Sequence, residues 1–80
     1  MRQIEVGKKY RHFKNKLYEV IAIAYDCEST SDNLKKVVVY KALYGDNDIW
    51  VRDYDDFASK VDKEKYPEVS QEYRFELVEE

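Results

Sequence analysis

Along residues 9–13 the side chains alternate, Tyr10 and His12 with Arg11 and Phe13, until the polar trio Lys14, Asn15 and Lys16 interrupts them. Alternation followed by so short a polar break predicts two antiparallel strands joined by a tight turn. The second strand, residues 17–25, reads Leu-Tyr-Glu-Val-Ile-Ala-Ile-Ala-Tyr and is apolar on both faces apart from Glu19. Such a strand belongs in the middle of a closed or covered sheet. Ala22 and Ala24 share one of its faces and leave room there for a close neighbour. Small polar residues over 26–33 predict a mobile loop. Residues 35–44 resume the strand signal with Val37, Val38 and Val39, whose β-branching disfavours helix and suits a pleated surface. Gly45-Asp46-Asn47-Asp48 marks a hairpin turn, and Ile49, Trp50, Val51 and Arg52 form the strand behind it.

After Arg52 the period changes. Asp53 is placed to cap a helix, and Tyr54, Phe57 and Val61 form one apolar stripe, predicting one to two helical turns over residues 54–61. So short a helix is marginal in water and must be held by packing. Residues 62–70 loop through Tyr66-Pro67, and Tyr73, Phe75 and Leu77 alternate with Arg74 and Glu76 in a half-buried closing strand. Five short antiparallel strands with a helix before the last predict an all-β, SH3-like, partly open barrel, whose closure would protect the sheet edges. With one proline, two glycines and no repeat, nothing divides the chain, and residues 1–80 read as a single domain.

Length limits what such a fold can bury. At 9.7 kDa about 64% of the unfolded chain's area is buried and roughly 5,100 Å² stays exposed. A 44% hydrophobic and 39% charged composition describes a well-solvated folded globule. The unusual feature is eight tyrosines, side chains that finish a thin core with an apolar face while keeping a polar tip wet.

The formal net charge of −3 argues against a strongly basic nucleic-acid or anionic-membrane binder. Charge is nonetheless uneven. Residues 1–18 carry Arg2, Lys8, Lys9, Arg11, Lys14 and Lys16 against Glu5, whereas residues 53–72 carry seven acids against Lys60, Lys63 and Lys65. One lone Cys27 precludes an internal disulfide, and neither a leader-like nor a membrane-spanning stretch is visible, so the expectation is a cytoplasmic protein away from membranes.

Gly7-x-x-Tyr10-x-His12-Phe13-Lys14, Tyr18-x-Val20, Val38-Val39-Tyr40, Leu43-Tyr44-Gly45-Asp46, Trp50-Val51-Arg52 and Arg74-Phe75 follow one another in this order. The ordered set resembles the small bacterial family catalogued as domain of unknown function 1653, from Val6 to Phe75. That resemblance implies a compact SH3-like β-barrel and no established activity. Two positions depart from the family pattern. Asp53 stands where a proline usually follows Trp-Val-Arg, and the acidic loop Cys27-Glu28-Ser29-Thr30 is offset from the usual Glu-Thr pairing, with Glu28 and, less directly, Thr30 the residues carried over.

His12, Lys14, Tyr18, Glu28, Tyr40, Tyr44, Trp50, Arg52 and Arg74 together make the candidate recognition set. Aromatic faces stack or hold cations, and guanidinium forks hold carboxylate or phosphate. Each also has a packing role: Tyr40 and Tyr44 share a parity at the core edge, Trp50 suits the main hydrophobic plug, and each arginine wants an internal partner, Glu19 or Glu28. One histidine without an orienting partner makes no catalytic argument. One His and one Cys fall short of a zinc site, and the Gly45 turn lacks the spacing of a calcium loop. No cofactor is expected. The leading expectation is a non-enzymatic module that binds a peptide or small anion. The alternative is a nucleic-acid accessory domain whose segment 8–16 tracks phosphates while tyrosines stack on bases.

Overall fold

The computed structural model describes residues 3–78, so Arg2 of the basic segment lies outside the described residues. Five strands, β1 (Lys9–His12), β2 (Lys16–Tyr25), β3 (Lys36–Ala42), β4 (Ile49–Asp53) and β5 (Phe75–Leu77), form one antiparallel sheet. Its order is β4-β3-β2-β1-β5. A single helical turn, α1 (Tyr54–Phe57), follows β4. The first turn is closed by Asn15 at a positive φ of 66°, and the second by Gly45 at 57° and Asn47 at 58°. Asn47 also donates its side-chain amide to the Ala42 carbonyl at 2.8 Å. The residue types anticipated at these turns are therefore those that tolerate the left-handed region.

Strand number, order along the chain and the hairpin turns agree with the alternation pattern. Sheet closure does not. Among the described residues β4 and β5 are the two sheet edges and do not pair with each other. The accessible surface of 5879 Å² accordingly exceeds the roughly 5,100 Å² of a closed globule of this mass. On the outer face Ile49 and Val51 are each 62% exposed and Ile21 is 41% exposed. β2 does occupy the centre of the sheet, but its second apolar face is uncovered.

A register shift between Val20 and Ala22 decides which β2 residues enter the core. Val20 lies opposite Tyr40 and Ile23 opposite Val38, although three positions separate Val20 from Ile23. One extra residue at Ile21 flips the parity and keeps both on the inner face. Ala22 and Ala24 then share the outer face, opposite Val39 and Val37.

The inner face carries a predominantly aromatic core. Phe57 from α1 stacks on Phe75 with ring centroids 3.9 Å apart and meets Tyr10 and Tyr40 edge-on at 5.7 and 5.2 Å. Val20, Val38, Ala42, Ala58 and Val61 complete the buried set with Ile4. Tyrosine tips serve as fasteners: the Tyr10 hydroxyl accepts from the Glu5 N–H and the Tyr54 hydroxyl from the Ile4 N–H, each at 2.9 Å. Both bonds tie the chain's first described residues across the core.

Asp53 caps α1 as its sequence position implies, its carboxylate accepting from the Asp56 N–H. The helix is a single turn, shorter than the apolar stripe suggested, yet Val61 remains buried. Its burial is secured by sheet-like bonds: the Val61 N–H donates to the Glu72 carbonyl and the Arg74 N–H to the Ser59 carbonyl. The closing strand is shorter than the alternation of residues 72–78 implied, because residues 72–74 pair with the segment after α1 before the chain reaches β1. The 26–35 loop is tied across its neck by Asp26 N–H to the Lys35 carbonyl at 2.8 Å and by Lys35 N–H to Ser29 Oγ at 2.8 Å.

Candidate functional site

β1, β2, β3 and β5 bring His12, Tyr18, Tyr40 and Phe75 together on the inner face. Tyr18 meets Tyr40 at 5.2 Å and Phe75 at 5.7 Å, while His12 meets Phe75 edge-on at 4.9 Å and Tyr18 at 6.4 Å. Arg52 reaches this cluster from β4. Its guanidinium carbon stands 5.5 Å from the Phe75 ring centroid, its Nε donates to the Tyr40 hydroxyl at 3.3 Å, and its Nη1 donates to Asp56 at 2.7 Å. Tyr44 lies at the rim, where its hydroxyl shares a 2.6 Å hydrogen bond with that of Tyr18 and Lys16 sits 4.9 Å over its ring.

Asp56 is the charged neighbour of the cluster that sequence reasoning missed. It pairs with Arg52 at 2.7 Å and lies 4.0 Å from Arg74 Nε, which is buried and has no hydrogen-bond partner among the described residues. Neither expected partner fills that place: Glu19 is on the outer face beside Lys41 at 4.0 Å, and Glu28 is in the β2–β3 loop. The available signal was the four-residue interval from Arg52 to Asp56, spanning the strand-to-helix junction. One carboxylate faces two guanidinium groups, leaving the site a net cation.

The nine proposed residues do not form one site. Tyr40 is 5% exposed and belongs to the core, with only its hydroxyl engaged by Arg52. Trp50 is 52% exposed on edge strand β4, opposite Tyr40, so the hydrophobic plug is Phe57 with Phe75 and not Trp50. Lys14 lies about 6 Å from the Phe13 and Tyr66 ring centroids, at the rim near His12. Glu28 lies beyond the far end of β2, about 20 Å of strand from Tyr18. Its distance from the cluster is a consequence of β2's ten-residue length. The basic segment is divided as well, because alternation sends Lys9 and Arg11 to the face opposite Tyr10 and His12.

His12 is held neutral. Burial, followed by the nearby charges of Arg52, Lys14 and Arg74, lowers its pKa from 6.5 to about 4. Its Nδ1 accepts the Lys14 N–H at 3.1 Å, which assigns the proton of the neutral ring to Nε2. The Tyr18 phenol is pushed above its ordinary value by burial and its bond to Tyr44. Burial alone would lower the Arg52 pKa, but the hydrogen bonds it donates to Tyr40 and Asp56 reverse that effect and raise it. At neutral pH the site therefore combines a permanently charged guanidinium, a neutral imidazole and a protonated Tyr18 phenol.

The His12 shift has a stability consequence. Between pH 6.5 and 4 the unfolded chain binds a proton that the folded chain does not, so stability falls as pH drops through this interval. The full shift corresponds to about 3 kcal/mol, and solvent screening at a partly exposed ring reduces this to about 1–2 kcal/mol. Urea titrations at pH 7 and 4 are expected to show that extra loss for the parent but not for His12→Asn. Parallel losses in the two proteins, or a histidine NMR titration midpoint near 6.5, would refute it.

A separate concavity is lined by Asn33, Leu34, Lys35, Lys36, Asp53, Tyr54 and Asp55. Its two lysines face two aspartates, so it has no charge surplus comparable to that around His12. Among the described residues no group of three or more His, Cys, Asp and Glu side chains is placed to hold a metal ion. Among the described residues no helix is long and apolar enough to cross a membrane.

Neither the curated proteins nor the solved structures contain a match to this chain. A family model does match, over residues 8–77, which takes in all five strands, α1 and the cluster around His12. The chain belongs to the family described as protein of unknown function (DUF1653).

Proposed function

We propose that this domain is a non-enzymatic binding module that captures a small anion or an acidic peptide side chain on its inner aromatic and cationic face. The observation that carries this reading is the charge imbalance: Arg52 and Arg74 share Asp56, and Lys14 adds a further positive charge near the neutral His12. A carboxylate or phosphate would balance that excess, accepting hydrogen bonds from guanidinium N–H groups and His12 Nε2–H. Exposed Tyr44 and Trp50 offer apolar faces beside it. The SH3-like reading of the sheet accords with this use, since such domains hold extended ligands on aromatic-lined grooves. Division of the basic segment between two faces favours a compact or extended anion over a nucleic-acid duplex.

The test is an NMR titration with inorganic phosphate and, separately, with an acidic tetrapeptide. Shifts are expected at His12, the Arg52 side chain and the Trp50 indole. Arg52→Gln is expected to weaken binding about tenfold, the scale of one charged hydrogen bond. Absence of shifts at about 20 mM of either probe, or equal affinity in Arg52→Gln, would overturn the proposal.

A further inference from the structure

The two edges of the sheet differ sharply in protection. β5 has three residues, including Glu76, whereas β4 has five in continuous register with β3 and presents Ile49, Trp50 and Val51 in succession. These three are 62%, 52% and 62% exposed. β4 contains no lysine, proline or bulge of the kind that blunts an open edge. The Ala42 N–H donates to the Asp48 carbonyl. By the antiparallel alternation, Trp50 and Arg52 also direct their peptide groups toward β3, while Ile49 and Val51 direct theirs off the sheet.

We propose that β4 is the edge through which two copies of this chain associate, antiparallel about a two-fold axis at Trp50. The occupant follows from self-complementarity. In this register Ile49 of one copy lies opposite Val51 of the other and exchanges both peptide hydrogen bonds with it. The two Trp50 side chains meet at the axis, and each Asp48 faces the other copy's Arg52. Shifting the centre to Val51 preserves the peptide bonds but sets Ile49 against Asp53 and leaves Asp48 opposite Tyr54. Only the Trp50-centred arrangement pairs apolar with apolar, aromatic with aromatic and acid with base.

The joined sheet has ten strands, and its outer face carries Ile49 and Val51 from both copies as one apolar stripe. Five-residue edges form an interface at the small end of the usual range, so the dimer dissociates with a Kd on the order of 100 µM. The edge shares Trp50 and Arg52 with the proposed anion face, but its test contains no ligand, so failure of one reading is distinguishable from failure of the other.

Sedimentation equilibrium from about 10 µM to 1 mM is expected to show a reversible monomer–dimer equilibrium. Val51→Lys is expected to weaken it at least tenfold by setting a charged side chain against the apolar Ile49 of the other copy and blunting the open edge. Because Val51 is exposed on the outer face, the variant's thermal midpoint at about 10 µM, well below the dimer Kd, remains that of the parent. A second measurement reads the register. In a Cys27→Ser background, Trp50→Cys lies at a non-hydrogen-bonded pair about 4.5 Å from its symmetry mate, within disulfide range, and crosslinks under air oxidation. Val51→Cys faces Ile49 and crosslinks about tenfold more slowly. A monomer throughout the concentration range, a dimer indifferent to Val51→Lys, or faster crosslinking through Val51→Cys would each overturn the proposal.

Discussion

Replacing Phe57 by alanine is expected to cost about 3–5 kcal/mol, the range for deleting a fully buried phenylalanine. In a domain of this size that loss approaches the whole stability. The cause is local. Phe57 is the only fully buried side chain supplied by α1, and it contacts Phe75 face to face and Tyr10 and Tyr40 edge-on. Three strands therefore lose a common contact at once, and the single helical turn has too few backbone hydrogen bonds to persist without it. Urea denaturation followed by tyrosine fluorescence is the measurement, with Phe57→Leu as the volume-preserving control at about 1–2 kcal/mol. A loss below about 1.5 kcal/mol for Phe57→Ala would mean that the inner face collapses to fill the cavity, and that α1 does not organise the core.

The second large effect is expected at Asp56, where stability and affinity move in opposite directions. Asp56→Asn keeps the side-chain shape but leaves Arg52 and Arg74 without their shared negative partner. Stability is expected to fall by about 1–2 kcal/mol, a modest value because the pair is partly exposed. Phosphate affinity is expected to rise about tenfold. A unit negative charge roughly 6 Å from the bound anion, at an effective dielectric near 40, opposes binding by about 1.4 kcal/mol. Denaturation and phosphate titration on the same variant separate the possibilities. Lower stability with unchanged affinity would confine Asp56 to a structural role and remove the anion site from the Arg52 cluster.

Much of the local structure was legible because it obeys short-range rules. Alternation at Tyr10 and His12, the β-branched run Val37 to Val39, the hairpin residues Asn15, Gly45 and Asn47, and the Asp53 cap each act within a few residues. Strand edges and site membership were less legible because they depend on distance. Trp50 resembles a core plug in sequence, yet edge placement leaves half of it in solvent. Arg52 and Arg74 require a partner, but only the strand-to-helix junction puts Asp56 between them. Glu28 has suitable chemistry and stands at the wrong end of β2. The parity change at Ile21 has no pattern signal, since Val20, Ile21 and Ile23 are all apolar and either face could have accepted them.

By itself, the sequence determined an all-β chain of five strands with one short helix before the last, because periodicity, turn chemistry and capping are set by neighbouring residues. Its ordered motifs likewise determined the family. Only the tertiary structure decided that the sheet stays open, that an aromatic layer of Phe57 and Phe75 fills the core, and that one carboxylate is shared by two arginines. Those outcomes rest on contacts between residues far apart in the chain, whose energies depend on which surfaces meet and not on composition or spacing. The open edge at β4 is the clearest case: the run Ile49-Trp50-Val51 signals a strand, but its exposure follows from where the sheet ends.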